Sequence, residues 1–109
     1  MDYAADLDEI RCAAYFKALA EPLRLQIVRA LQAGPLSVSD LALALDQEMG
    51  TVSHHLRVLY HADLVTTQRE GKYIYYSLSS DFHKQPSKTT EVGSLDFGCC
   101  KLDIGPTGK

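Results

Sequence analysis

Several things are missing from this chain, and each absence closes off a class of protein. No run of apolar residues approaches the ~18 that a membrane-spanning helix needs, so no membrane segment is expected. The first ten residues, MDYAADLDEI, are acidic and lack both a basic region and an apolar stretch, so they do not read as a secretory signal. A cytoplasmic chain is therefore the expectation, and its cysteines, only three in 109 residues, are expected to be free thiols. Bulk positive charge is missing too: 14 acidic residues outnumber 11 basic ones, for a formal net charge of −3. That balance weighs against nucleic-acid binding through overall basicity. There is no internal repeat, and the length suits one core rather than two comfortable domains. Apolar residues make up 46 % of the chain, which favours a globular fold over disorder.

What is present is concentrated in residues 48–78, EMGTVSHHLRVLYHADLVTTQREGKYIYYSL. At roughly 100° per residue, Val52, Leu56 and Leu59 share one helical face, with His55 and Ala62 on its flank. Gly50, Ser53, His54, Arg57 and His61 fall on the opposite, polar face. After Ala62 the period changes to that of strands: Val65, Thr67 and Arg69 lead to Glu70-Gly71, and Lys72-Tyr73-Ile74-Tyr75-Tyr76 returns with β-branched and aromatic residues. A helix of this kind can bury one side and offer the other to a DNA groove, while the hairpin tip carries Arg69 and Lys72 towards phosphates. The pattern predicts a mainly α chain with a β-hairpin wing (α+β), that is, a winged helix-turn-helix. Its local charge is balanced, with Arg57, Arg69 and Lys72 set against Glu48, Asp63 and Glu70. Affinity must then come from where the cations point and from two subunits acting together, with a shallow salt dependence.

The flanks supply the scaffold. A first helix is predicted over about residues 7–19, with Asp6 as N-cap, Glu9 completing a capping box, and Leu7, Ile10, Ala14, Tyr15 and Phe16 as its apolar surface. Pro22 opens a second helix carrying Leu23, Ile27, Val28 and Leu31, closed by Gly34-Pro35. Ser37 and Asp40 cap a short third helix with Val38, Leu41, Ala42 and Leu45, and Asp46-Gln47-Glu48 turns into the next. Residues 1–80 are read as the DNA-binding domain and 81–109 as a C-terminal extension. Within the extension, Pro86 and Gly93 disfavour a long helix, and residues 95–104 read as one strand kinked near Gly98.

Over about residues 15–79 the chain resembles the ArsR/SmtB family of winged-helix repressors. The resemblance rests on ALAEPLRLQIVRAL, SDLALAL, TVSHHLRVLYHADLV and TTQREGKYIYYSL at this spacing. It implies a non-enzymatic homodimer that binds double-stranded, pseudo-palindromic operator DNA without a permanently bound cofactor, and that an inducer, often a metal or metalloid ion, releases. On that template Gly50, Thr51, Ser53, His54 and Arg57 lie near base edges or phosphates in the major groove. Arg69, Lys72 and Tyr73 are the wing's phosphate contacts. His55, on the buried side, reads as a satisfied core histidine.

The inducer site departs from familiar family patterns. Many arsenic-responsive members carry two cysteines in the third helix, where this chain has Ser37 and Ser39, and hydroxyls are poor ligands for soft ions. The terminal-helix zinc site is half present: Asp81 and His83 match, but Ser94 and Phe97 occupy the other ligand positions, and half a site cannot complete a tetrahedral shell. What remains is Cys12, Cys99 and Cys100. A GCC tail resembles arsenic-responsive members whose thiols lie away from the third helix, and three thiolates suit trivalent arsenic, As(III), or antimony, Sb(III). Other soft ions, a redox or persulfide switch joining Cys12 to Cys99 or Cys100, and a plain packing role for buried cysteine are the alternatives. A nucleophilic set of Cys100, His83 and Asp81 has no motif to place it together.

Overall fold

Short-range capping chemistry sets the helix boundaries. The computed structural model describes residues 3–79, 94–96 and 101–103. Helix α1 runs Tyr3–Leu19 and α2 runs Pro22–Leu31. Glu21 is the N-cap of α2: its backbone is extended, its carboxylate accepts the N–H groups of Leu23 (2.8 Å) and Arg24 (3.1 Å), and Pro22 fills the first turn. Satisfying otherwise orphaned donors in this way holds the helix start. Strand β1, Leu36–Ser37, leads directly into α3, Val38–Leu45. Here the predicted capping box forms: the Ser37 hydroxyl accepts the Asp40 N–H at 3.1 Å, and the Asp40 carboxylate accepts the Ser37 N–H at 3.1 Å. Asp46 then takes a left-handed conformation (φ 57°), and α4 spans Met49–His61.

Strands β2 (Val65–Glu70) and β3 (Tyr73–Leu78) form the wing, and β1 pairs on the outer edge of β3, giving the order β1-β3-β2, all antiparallel. The hairpin turn is Gly71-Lys72, one residue later than expected, because Glu70 still pairs with Tyr73. Gly71, at φ +64°, supplies the left-handed residue such a turn requires.

The core gathers Leu23, Ile27, Val28 and Leu31 of α2, Leu41 and Ala42 of α3, Val52, Leu56 and Leu59 of α4, and Leu64, Val65 and Leu78 of the wing. Three sequence expectations are corrected. Helix α1 begins at Tyr3, so Asp6 lies inside it rather than capping it; Ala4 and Ala5 are strong helix formers and nothing breaks the turn before them. The buried face of α1 is Cys12, Tyr15, Ala18 and Leu19, whereas Ile10 is 65 % and Phe16 42 % exposed. The region read as one kinked strand is two antiparallel strands, β4 (Ser94–Asp96) and β5 (Lys101–Asp103), with Leu95 opposite Leu102. Pairing puts both leucines on one face, and Leu95 joins the core fully buried. No helix among the described residues is long and apolar enough to cross a membrane.

Candidate nucleic-acid interface

Helix α4 is held by three fully buried side chains, Val52, Leu56 and Leu59, which fix its rotation. That rotation turns Gly50, Thr51, His54 and Arg57 to solvent, with Ser53 half-buried beside them. Glu48, the N-cap residue of α4, makes no side-chain capping bond. A Cβ built on Gly50 would meet nothing within 4 Å. The glycine therefore serves no internal close approach, and its absent side chain leaves room on the exposed face.

The wing sorts the charges that cancel in the sequence. Cross-strand pairs alternate between faces: Thr67 opposite Tyr76 and Arg69 opposite Ile74 share one face, Gln68 opposite Tyr75 and Glu70 opposite Tyr73 the other. A cleft lined by Ser53, Arg57, Tyr60, His61, Thr67 and Tyr76 lies between α4 and the wing, so the Thr67–Arg69 face is the one turned to α4. A second cleft, lined by Pro35, Gln68, Glu70, Tyr75 and Ser77, lies on the opposite face. Arg69 thus stands on the side of Arg57, and Glu70 is turned away. Lys72 is exposed in the turn.

Behind α4 sits a polar tether that sequence reading missed. Arg24 of α2 donates from Nε to the Ala18 carbonyl (2.5 Å) and places Nη1 2.9 Å from His55 Nδ1. Arginine has no acceptor, so Nδ1 must carry its lone pair and His55 is neutral, with Nε2 4.0 Å from Glu21 Oε1. Burial is the main cause that lowers the His55 pKa below its ordinary 6.5; Glu21 opposes the shift, and Arg24 and His54 add to it. Glu21 itself is disfavoured as a charge by desolvation, but the N–H groups of Arg24 and Leu23 outweigh that and keep its pKa low. The satisfied histidine was legible in the helical phase. Its partner was not, because Arg24 is 31 residues away in sequence.

The proposed thiol set is only partly visible. Cys12 is 6 % exposed on the inner face of α1 and is disulfide-bonded, contrary to the expected free thiol. Cys99 and Cys100, and the half zinc site of Asp81 and His83, lie outside the described residues. Among the described residues no three His, Cys, Asp or Glu side chains cluster as metal ligands. At the third helix, Ser37 is occupied by capping, and its hydroxyl is also 3.1 Å from that of Ser39.

A family model described as a helix-turn-helix domain matches residues 19–68. The HTH-type transcriptional regulator NmtR of Mycobacterium tuberculosis is 50 % identical over 66 residues, which are 61 % of this chain and 55 % of that protein. The chain thus spans little more than half of NmtR. An arsenical resistance operon repressor of Staphylococcus xylosus is 33 % identical over 87 residues, 78 % of this chain and 84 % of that one. Among solved structures, the homodimeric winged helix-turn-helix DNA-binding domain of Mb0332 from Mycobacterium bovis, described as a possible ArsR-family regulator, matches with a TM-score of 0.66 at 35 % identity, covering 72 % of each chain. These relatives are regulators of transcription, not enzymes.

Proposed function

Because the chain belongs to the ArsR/SmtB family of winged helix-turn-helix repressors, we propose that it represses transcription as a homodimer on operator DNA and leaves that DNA when a thiophilic ion binds its cysteines. One observation carries the DNA half: the uncovered polar face of α4 and the wing's Arg69 share a side, while Glu70 is turned away. In this reading Gly50, Thr51, Ser53, His54 and Arg57 enter the major groove, and Arg69 and Lys72 meet phosphates. Short side chains at the start of α4 let its backbone approach the groove. The exposed Ile10 and Phe16 of α1 offer apolar surface to a second copy. Two heads must then span half-sites about 34–36 Å apart, so a modest rotation of one against the other breaks register. Such a repressor works in the cytoplasm.

Residues 1–80 carry the DNA function, and the signal is read by residues 81–109 together with Cys12. The inducer is As(III) or Sb(III), held by Cys12, Cys99 and Cys100 once all three are reduced. Support comes from the donor chemistry, three sulfurs on a chain whose third helix has serines instead, and from the similarity to a repressor of arsenical resistance. An ion that binds the DNA-incompetent dimer better shifts the population by its differential affinity. The test is operator-DNA anisotropy of the reduced protein with arsenite, zinc as control, for wild type and for Cys12→Ser, Cys99→Ser and Cys100→Ser. Unchanged release in all three variants sinks the thiol site.

A second reading has its own observation. Cys12 in a disulfide has no thiolate to give, so the same cysteines can serve as a redox switch that changes operator affinity without a metal. Peroxide or polysulfide that alters DNA binding of the metal-free protein, with mass spectrometry locating a Cys12 bridge, selects this reading over the first.

A further inference from the structure

The cleft between α4 and the wing has a chemistry of its own. It is an open cleft of about 280 Å³, lined by Ser53, Arg57, Tyr60 and His61 of α4, Thr67 of β2 and Tyr76 of β3. The α4 residues recur at i, i+4, i+7 and i+8, the stripe of one helix face. Every one of the six can donate an N–H or O–H hydrogen bond, and none is a carboxylate, on a chain whose acidic residues outnumber its basic ones. The neighbouring clefts differ: one contains Asp63 and the one on the far face of the wing contains Glu70. A pocket of donors with a guanidinium and no competing acid suits an oxyanion.

The geometry of a duplex supplies that anion. If α4 lies in a major groove and the wing reaches the adjacent minor groove, the sugar-phosphate strand dividing the two grooves must cross between helix and wing. We propose that this cleft seats a DNA phosphodiester, held by Arg57 with Tyr60, His61, Thr67 and Tyr76, and so fixes the register of the helix on the backbone. The inference rests on the DNA-binding reading of α4. It adds four residues to the interface and directs Arg57 to a phosphate rather than a base edge. Contacts of this kind position the protein and carry no sequence information.

The test uses a duplex selected by the wild-type dimer from a random pool, an unrelated duplex, and anisotropy across a salt series. Tyr76→Phe, Thr67→Val and His61→Gln are each expected to weaken both duplexes by a similar factor, about tenfold or more, the size of a hydrogen bond to a charged group. Tyr76→Phe leaves the salt slope unchanged because it removes no charge, whereas Arg57→Gln, which removes one cation from each protomer of the dimer, lowers it by about 2. Gln68→Ala, on the far face, changes nothing. A methylphosphonate scan then places the seat: one neutralised linkage weakens wild type but adds little to Tyr76→Phe. Wild-type binding with all three cleft variants unaffected overturns the phosphate seat alone, as does a loss confined to one base pair of the selected duplex. A wild-type dimer that binds neither duplex overturns the DNA-binding reading, and the seat with it.

Discussion

Replacing Arg24 by methionine removes a tether between α2 and the back of the reading helix while keeping most of the side chain's apolar stem. Arg24 makes two side-chain hydrogen bonds from a half-buried position, 2.5 Å to the Ala18 carbonyl and 2.9 Å to His55 Nδ1. A bond from a charged donor contributes about 1.5–3 kcal/mol when well shielded. Partial exposure argues for the lower end, so the pair is worth about 3 kcal/mol. Against a total of about 5–15 kcal/mol for a domain of this size, that is a large fraction, and Tm should fall by roughly 10 °C or more. Arg24→Lys keeps the charge but not the fork that reaches both acceptors, so it recovers about half. Urea denaturation followed by circular dichroism, at one protomer concentration because a dimer's stability depends on it, reads both. The loss should also depend on pH. His55 has a lowered pKa in the folded chain, so wild-type stability is full above 6.5 and declines as pH falls below it, where the unfolded histidine takes up a proton first. Without the Arg24 charge, and with Glu21 still present, His55 accepts a proton more easily. The gap between wild type and Arg24→Met therefore narrows in acid. A variant within about 0.5 kcal/mol of wild type at neutral pH, or a gap that widens on acidification, refutes this account of the tether.

Other perturbations have signs that separate folding from DNA binding. Gly50→Ala should stabilise the fold by up to about 1 kcal/mol, since alanine is the better helix former and a Cβ meets nothing there; the same methyl group should weaken operator binding, and equal or tighter binding would show that this face stays clear of DNA. Ser37→Ala should cost about 1 kcal/mol in chemical denaturation through loss of the capping box, with arsenite-driven release unchanged if the hydroxyl is a cap and not a ligand. Leu56→Ala, at a fully buried position on α4, should cost about 2–5 kcal/mol in a urea titration. A cost below 1 kcal/mol would mean that α4 is not anchored where it packs against the core.

Much of the scaffold could be read locally. The phase of Val52, Leu56 and Leu59 predicts the buried face of α4, and all three are fully buried. Ser37 and Asp40 predict a capping box that forms with the expected partners, because capping involves residues three apart. Where the same reasoning failed, the deciding neighbour was distant. Helix α1 carries apolar residues on several sides, so periodicity could not choose between Ile10 or Phe16 and Cys12 or Ala18. Packing against α2 and α4 made that choice. In the tail, Leu95, Phe97 and Cys99 alternate as one strand would, with Leu102 following after a slip of phase, and only the pairing of Leu95 with Leu102 shows two strands.

The candidate site divides in the same way. Which residues are polar and exposed on α4, and which cations the wing carries, follow from the sequence alone through periods of 3.6 and 2. That Arg69 stands with Arg57 while Glu70 is turned away, that burial, with Arg24 beside it, keeps His55 neutral, and that six donors line one cleft without a carboxylate were decided by tertiary structure. A one-dimensional pattern specifies each element's faces, but which faces meet depends on the core that several elements bury together. Charges that cancel along the chain are separated only once that core has formed.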